Sequence, residues 1–151
     1  MERFFGASDH TIDEKGRIIV PARFRQVLEA LGSDGVVVAP MDKTLFVYPY
    51  GRWSEVSEKI NSQAEKSDTM RRFRRFFIGN ASDCPCDKQG RILVPPNLRS
   101  YAALGKEIAL VGVTDHIEIW NREKWKSENA MMEEEDMKKE EVRNEIAKLG
   151  L

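Results

Sequence analysis

The residues best equipped for chemistry come in pairs. Asp13-Glu-Lys-Gly-Arg17 and Asp87-Lys-Gln-Gly-Arg91 set an acid, a glycine and an arginine in the same order and spacing. Asp first and Gly fourth is the preference of a type I turn, in which the glycine can take a positive φ. Such a turn projects its backbone amides and the following guanidinium outward. Arginine is the side chain best suited to bidentate contact with a phosphate or with the O6 and N7 edge of guanine. The competing reading is local, with Asp and Arg tying the turn to itself, and duplication alone does not choose between the two.

Other groups offer weaker chemistry. Arg71, Arg72, Arg74 and Arg75 form a basic run around Phe73 that can track a phosphate backbone or touch another subunit. The same run, with Met70, Phe73 and Phe77 at helical spacing, also reads as an amphipathic helix that buries its aromatics and leaves its arginines in solvent. Asp9, Asp83, Asp13 and Asp87, with His10 and His116, supply acids and bases from which a carboxylate dyad is conceivable. Asp beside or at the head of a turn is nevertheless favoured for local hydrogen bonding. His10 is replaced by Cys84 in the second copy, and His116 has no histidine counterpart in the first. Gly-x-Ser-x-Gly, His-Glu-x-x-His and Walker-type loops are absent from the sequence. The expectation is a protein that is not an enzyme, with no catalytic residue, cofactor or metal. Cys84 and Cys86, one residue apart, are neither a disulfide framework nor a set of zinc ligands, and read as incidental thiols.

An internal duplication must position the paired turns. Residues 7–25 recur 74 positions later at 81–99, with ten of 19 residues identical, and Val36 to Trp53 aligns more loosely with Ile108 to Trp125. Each copy is near the size below which a lone core is insufficient, so the two must bury their apolar faces together about a pseudo-twofold axis. In each copy a short strand should enter the turn, and Arg17 to Val20 or Arg91 to Val94 should leave it. Pro21 and Pro95 then stop the strand and start short helices over 21–31 and 95–104, ended by Gly32 and Gly105. Strands rich in Val, Ile and aromatics follow at 36–40 and 44–48, and again at 108–113 and 116–120. Trp53, Val56, Ile60 and Ala64, then Met70, Phe73 and Phe77, predict two linking helices. The aromatics of Tyr48-Pro-Tyr-Gly-Arg-Trp53 read as strand-end packing residues. A polar helix should begin near Asn121 and run, with a break, towards Leu149.

Composition sets the frame. The chain has 151 residues, 41% of them hydrophobic, which suits a folded protein of modest core. Its net charge of -1 does not advertise a polyanion partner, but residues 127–151 hold 8 acidic and 4 basic side chains, which leaves the body at +3. The apolar runs are too short to span a bilayer, and the first residues do not resemble a secretory signal, so a cytoplasmic location is expected.

The residues of the two copies, with Phe76-Phe-Ile-Gly-Asn-Ala81 between them and Ile117-Glu-Ile-Trp120 after them, resemble the bacterial MraZ family over nearly the whole chain, weakening after about residue 126. The resemblance implies a mixed α/β (α+β) fold in which two AbrB-like swapped-hairpin repeats close into one pseudo-twofold β-barrel with flanking helices. The corresponding boundaries are 1–52 for repeat one, 53–78 for the linking helices, 79–124 for repeat two and 125–151 for an acidic helical tail. It also implies a nucleoid-associated regulator, a repressor of the division and cell-wall gene cluster and of its own promoter, that binds tandem repeats of double-stranded DNA as a homo-oligomeric ring. Neither membrane nor small-molecule substrate is expected. The family's Asp-x-x-x-Arg motif maps onto Asp13 with Arg17 and Asp87 with Arg91, so the expected DNA site is Asp13, Lys15, Gly16, Arg17, Asp87, Lys88, Gly90 and Arg91. Lys15 and Lys88 would be its phosphate contacts. The second copy departs in having Gln89 where the first has Lys15, and Cys86 where it has Ile12. The alternative reading is a non-catalytic protein-interaction scaffold barrel whose arginine turns meet acidic partners.

Overall fold

The computed structural model describes residues 2–151 and divides into two compact units, Met1–Asn121 and Arg122–Leu151. The first contains β1 (Phe4–Thr11), β2 (Arg17–Ile19), α1 (Ala22–Ala30), β3 (Gly35–Met41), β4 (Thr44–Pro49), α2 (Tyr50–Ala64) and α3 (Asp68–Phe77). Its second half adds β5 (Ser82–Pro85), β6 (Arg91–Leu93), α4 (Pro96–Tyr101), β7 (Glu107–Thr114) and β8 (Ile117–Asn121). The predicted strands and helices therefore all form, in the predicted order.

Six strands make one antiparallel sheet in the order β1-β7-β8-β4-β3-β5, and β2 and β6 form a separate two-stranded sheet. This corrects the expected barrel, because the hydrogen-bonded sheet is open, with β1 and β5 as its edges. The reason lies in β2 and β6. Each is three residues long and followed within two residues by a proline that lacks an N–H, and β2 meets the chain just after β1 through the isolated Ile12–Ile18 bridge rather than a ladder.

The halves are crossed at that small ribbon. Ile18 stands opposite Ile92, Arg17 opposite Leu93 and Ile19 opposite Arg91, so the pseudo-twofold passes through the isoleucine pair. Val20 N–H donates to the Gly90 carbonyl at 2.9 Å, and Val94 N–H donates to the Gly16 carbonyl at 2.8 Å. Ile18 and Ile92 are 1% and 3% exposed, and they join Phe4, Phe24, Leu28 and Leu98 with inward residues of β3, β4, β7 and β8 in one core.

Strand alternation gives the sheet a second apolar face. Val36, Val38, Leu45 and Val47 point into the main core, whereas Ala39, Phe46 and Tyr48 face α2 and α3. There Trp53 stacks on Phe77 with centroids 5.5 Å apart, and Tyr48 lies 5.9 Å from Trp53. Tyr48 of β4 and Trp53 of α2 thus serve as packing residues, while Tyr50 donates its hydroxyl to Asp83. Beside them His116 stacks on Tyr48 at 5.4 Å, with Nδ1 2.9 Å from Asp115 Oδ1 and Nε2 2.9 Å from Glu118 Oε2.

Helix ends follow local chemistry with one exception. Gly32, at φ +68°, ends α1 with its own N–H bonded to the Glu29 carbonyl and that of Ser33 to the Leu28 carbonyl. In the second copy Ala103, at φ +51°, takes this position, so α4 stops at Tyr101 and Gly105 is not the terminator. The second unit comprises α5 (Arg122–Glu134), a 3-10 turn at Asp136–Lys138 and α6 (Glu140–Ala147), so the polar helix does break, and the break falls at the 3-10 turn. None of its residues is fully buried; Val142 and Ile146 are half-buried.

Two outcomes test this architecture. Ile92→Ala should lose about 2–5 kcal/mol in chemical denaturation, as a truncation at a filled core position, whereas Ile19→Ala at the exposed ribbon position should stay within about 0.5 kcal/mol of the parent. Burial opposes charge on His116, but the hydrogen bonds to Glu118 and Asp115 and their negative charges outweigh it and raise its pKa above 6.5. Its stabilising contribution is therefore complete below pH 6.5 and is lost as pH rises through the folded value. Imidazole NMR should show the raised titration in the parent and a return towards 6.5 in Glu118→Gln.

Candidate nucleic-acid interface

Each turn is organised by its aspartate. Asp13 Oδ1 accepts from the backbone N–H of Lys15 and of Arg17, both at 2.9 Å, and Oδ2 accepts from Arg17 Nε at 2.6 Å. Asp87 repeats the pattern with Gln89 N–H at 2.9 Å, Arg91 N–H at 2.8 Å and Arg91 Nε at 2.8 Å. The turn itself closes through Gly16 N–H to the Asp13 carbonyl and Gly90 N–H to the Asp87 carbonyl, each at 3.0 Å.

The carboxylates respond as their partners require. The Arg17 backbone N–H, joined by the Arg17 side chain and the Lys15 N–H against partial desolvation, holds Asp13 at about 2. Asp87 is lowered for the same reasons, led by the Arg91 backbone N–H. Both aspartates are ionised at neutral pH. Each arginine is fastened at Nε, which restrains the plane of the guanidinium, and both side chains are partly exposed, Arg17 to 34% and Arg91 to 28%. In the second copy Arg91 Nη2 also approaches Gln89 Oε1 at 3.4 Å, a weak contact that Lys15 cannot offer to Arg17.

The glycines are required by the crossing. Gly16 sits at φ +93°, and a Cβ there would lie 2.6 Å from the Val94 carbonyl oxygen and 2.8 Å from Arg99 Nε. Gly90 sits at φ +76°, where a Cβ would meet Arg25 Nη1 at 2.9 Å. Each turn is thus backed by an arginine of the other half. Arg99 Nε also donates to the Val94 carbonyl at 3.0 Å. Sequence reasoning did not single out Arg25 and Arg99, although they are identical members of the repeat and that identity was the available signal.

The antiparallel ribbon brings Asp13, Lys15, Gly16 and Arg17 to one end of a single surface and Asp87, Lys88, Gly90 and Arg91 to the other. Lys15 and Lys88 are exposed, one in the third position of its turn and the other in the second. The basic run lies elsewhere. Arg71, Arg72, Arg74 and Arg75 are on α3, against the sheet face opposite the ribbon, and Arg71 pairs with Asp68 and donates to the Ala64 carbonyl. Asp9 and Asp83 fall on opposite edge strands, and Asp83 accepts from the Tyr50 hydroxyl at 2.6 Å. Cys84 and Cys86 are free thiols whose pKa values burial pushes up. Among the described residues no group of three or more His, Cys, Asp or Glu is disposed to hold a metal, and no helix is long and apolar enough to cross a membrane.

Fold and site together define a duplicated α+β protein whose halves exchange strands to display an arginine-bearing ribbon. The family model described as MraZ protein matches residues 3–76 and again residues 77–145. The chain belongs to the MraZ family. It is 59% identical over 148 residues to the "Transcriptional regulator MraZ" of Desulforapulum autotrophicum, covering 98% of this chain and 99% of that one. The protein of that name from Desulfosudis oleivorans is 48% identical over 149 residues, and that from Acetivibrio thermocellus 38% over 148, each with 98% and 99% covered.

The turn geometry has a consequence in acid. Because Asp13 is depressed to about 2 from 3.8, its stabilising contribution is complete above pH 3.8 and is lost as pH falls through about 2. A carboxyl NMR titration of Asp13 should therefore have its midpoint near 2; a midpoint at 3.8 would mean that the turn is not organised in solution.

Proposed function

We propose that this protein is a sequence-specific DNA-binding transcriptional regulator, which acts by inserting the β2–β6 ribbon and its two turns into the major groove. The observation that carries the reading is the pair of Asp-fastened arginines, Arg17 and Arg91, held on one outward surface by the ribbon. A two-stranded β-ribbon fits a major groove, and a guanidinium held at Nε keeps its terminal nitrogens for the O6 and N7 of guanine. Lys15 and Lys88 flank the ribbon as phosphate contacts that set its register without reading bases. The family membership and the relatives' names support the same reading.

The finer reading is repression of the division and cell-wall gene cluster, including the protein's own promoter, by a cytoplasmic, nucleoid-associated homo-oligomer. One ribbon contacts few base pairs. A ring carrying several ribbons to tandem promoter repeats raises the effective concentration of each after the first has bound. The arginines of α3, Arg72, Arg74 and Arg75 with Arg71, face away from the ribbon and suit contacts between subunits or a second phosphate path.

Binding is to be measured on the DNA upstream of the protein's own gene, against scrambled DNA of equal length, across a salt series. Preference for the native fragment should persist as salt rises. Arg17→Ala and Arg91→Ala should each lose roughly 1–3 kcal/mol on that fragment and little on scrambled DNA. Equal binding to both DNAs, abolished by modest salt, would sink the regulator reading in favour of an interaction scaffold.

A further inference from the structure

The outward face of the ribbon carries more than its arginines. Ile18 and Ile92 point into the core, so alternation puts Arg17 and Ile19 of β2, and Arg91 and Leu93 of β6, on the opposite face. Ile19 is 59% exposed and Leu93 is 54% exposed. They stand diagonally across the ribbon, Ile19 opposite Arg91 and Leu93 opposite Arg17, in the same arrangement about the pseudo-twofold. Single exposed aliphatic residues are ordinary. Here, however, each of two branched aliphatic side chains occupies the position across from one of the two arginines, one on each side of the central Ile18–Ile92 pair.

We infer that Ile19 and Leu93 are specificity-determining residues that recognise the C5-methyl groups of thymines in the major groove, beside the bases that Arg17 and Arg91 contact. This rests on the DNA reading above. Thymine alone among the unmodified bases presents an apolar group in that groove, and an aliphatic side chain recognises it by excluding water. The dimensions agree. Residues two apart on a strand are separated by about 6.8 Å, which matches two base-pair steps of about 3.4 Å. Arg17 with Leu93 across from it, and Ile19 with Arg91 across from it, therefore address bases two steps apart, one pair on each side of the dyad. Charge complementarity favours DNA over an apolar partner, since the two aliphatic side chains share their face with two guanidinium groups and are flanked by Lys15 and Lys88.

Replacing thymine by uracil removes the methyl group and keeps the pairing. The full-length protein is titrated with two versions of the fragment upstream of its own gene, one made with thymidine and one with deoxyuridine. Burial of one methyl is worth about fourfold in affinity, so the parent should bind the uracil fragment at least about fourfold more weakly. Ile19→Ala and Leu93→Ala should each shrink that difference. The double variant should bind both fragments equally, while Ile19→Val retains most of the discrimination and all variants bind scrambled DNA as the parent does. An undiminished uracil penalty in the double variant overturns this inference and leaves the regulator reading intact. A double variant that keeps full affinity for the thymidine fragment overturns it too, as does one that sediments as a smaller assembly, which would assign the two side chains to contacts between copies. If the parent does not prefer its upstream fragment to scrambled thymidine DNA, the regulator reading falls and this inference falls with it.

Discussion

The structure depends on one antiparallel pairing, Ile18 against Ile92, with Val20 N–H bonded to the Gly90 carbonyl and Val94 N–H to the Gly16 carbonyl. A three-residue strand has too few hydrogen bonds to hold itself in place, and β2 is joined to its own hairpin by a single bridge. Each half therefore finishes its backbone on the other. The same crossing sets Arg99 behind Gly16 and Arg25 behind Gly90, so each turn, closed by its own aspartate, is backed by an arginine of the other copy. It also places both aspartate-fastened arginines on one surface, which is the property the proposed DNA recognition uses.

The open sheet serves two masters because its strands alternate. One face receives the ribbon with α1 and α4 and closes the main core; the other receives α2 and α3 through Tyr48, Trp53, Phe73 and Phe77. His116 is held at the border of this second cluster by Asp115 and Glu118, with Trp120 Nε1 donating to the other Glu118 oxygen. An apolar helix seat is thereby bordered by a charged, hydrogen-bonded rim. The helices that link the copies in sequence thus pack on the sheet face opposite the ribbon, and Phe76 of α3 meets Tyr101 of α4 with ring centroids 5.8 Å apart.

The duplication has not kept the copies equal, and the differences are local in origin. β1 and β5 end at equivalent positions, Thr11 and Pro85, and β5 is four residues long against eight because it starts only at Ser82, after α3 and the turn that follows it. Ala103 accepts a left-handed conformation where the first copy uses Gly32. Gln89 approaches Arg91 and removes the cation that Lys15 supplies, while Lys88 restores it one position earlier in the turn. The two ends of the surface are therefore similar in geometry and different in charge placement.

By itself the sequence determined the repeat, the turns, the order of strands and helices and the identity of the fastening pairs. These follow from short-range rules: Asp and Gly at fixed offsets, proline after a strand, apolar residues at periods of 2 or 3.6. The same rules assigned Phe73, Phe77 and Trp53 to packing without showing which face they would cover. Only the tertiary structure decided that β2 pairs with β6 rather than extending a barrel, that Arg25 and Arg99 back the opposite glycines, and that Ile19 and Leu93 face outward while Ile18 and Ile92 fill the core. Arg17-Ile-Ile-Val20 and Arg91-Ile-Leu-Val94 are apolar throughout after their arginines, so their composition cannot say which side is buried. That choice belongs to the register between strands more than 70 residues apart, and register is settled by the shared core rather than by either strand.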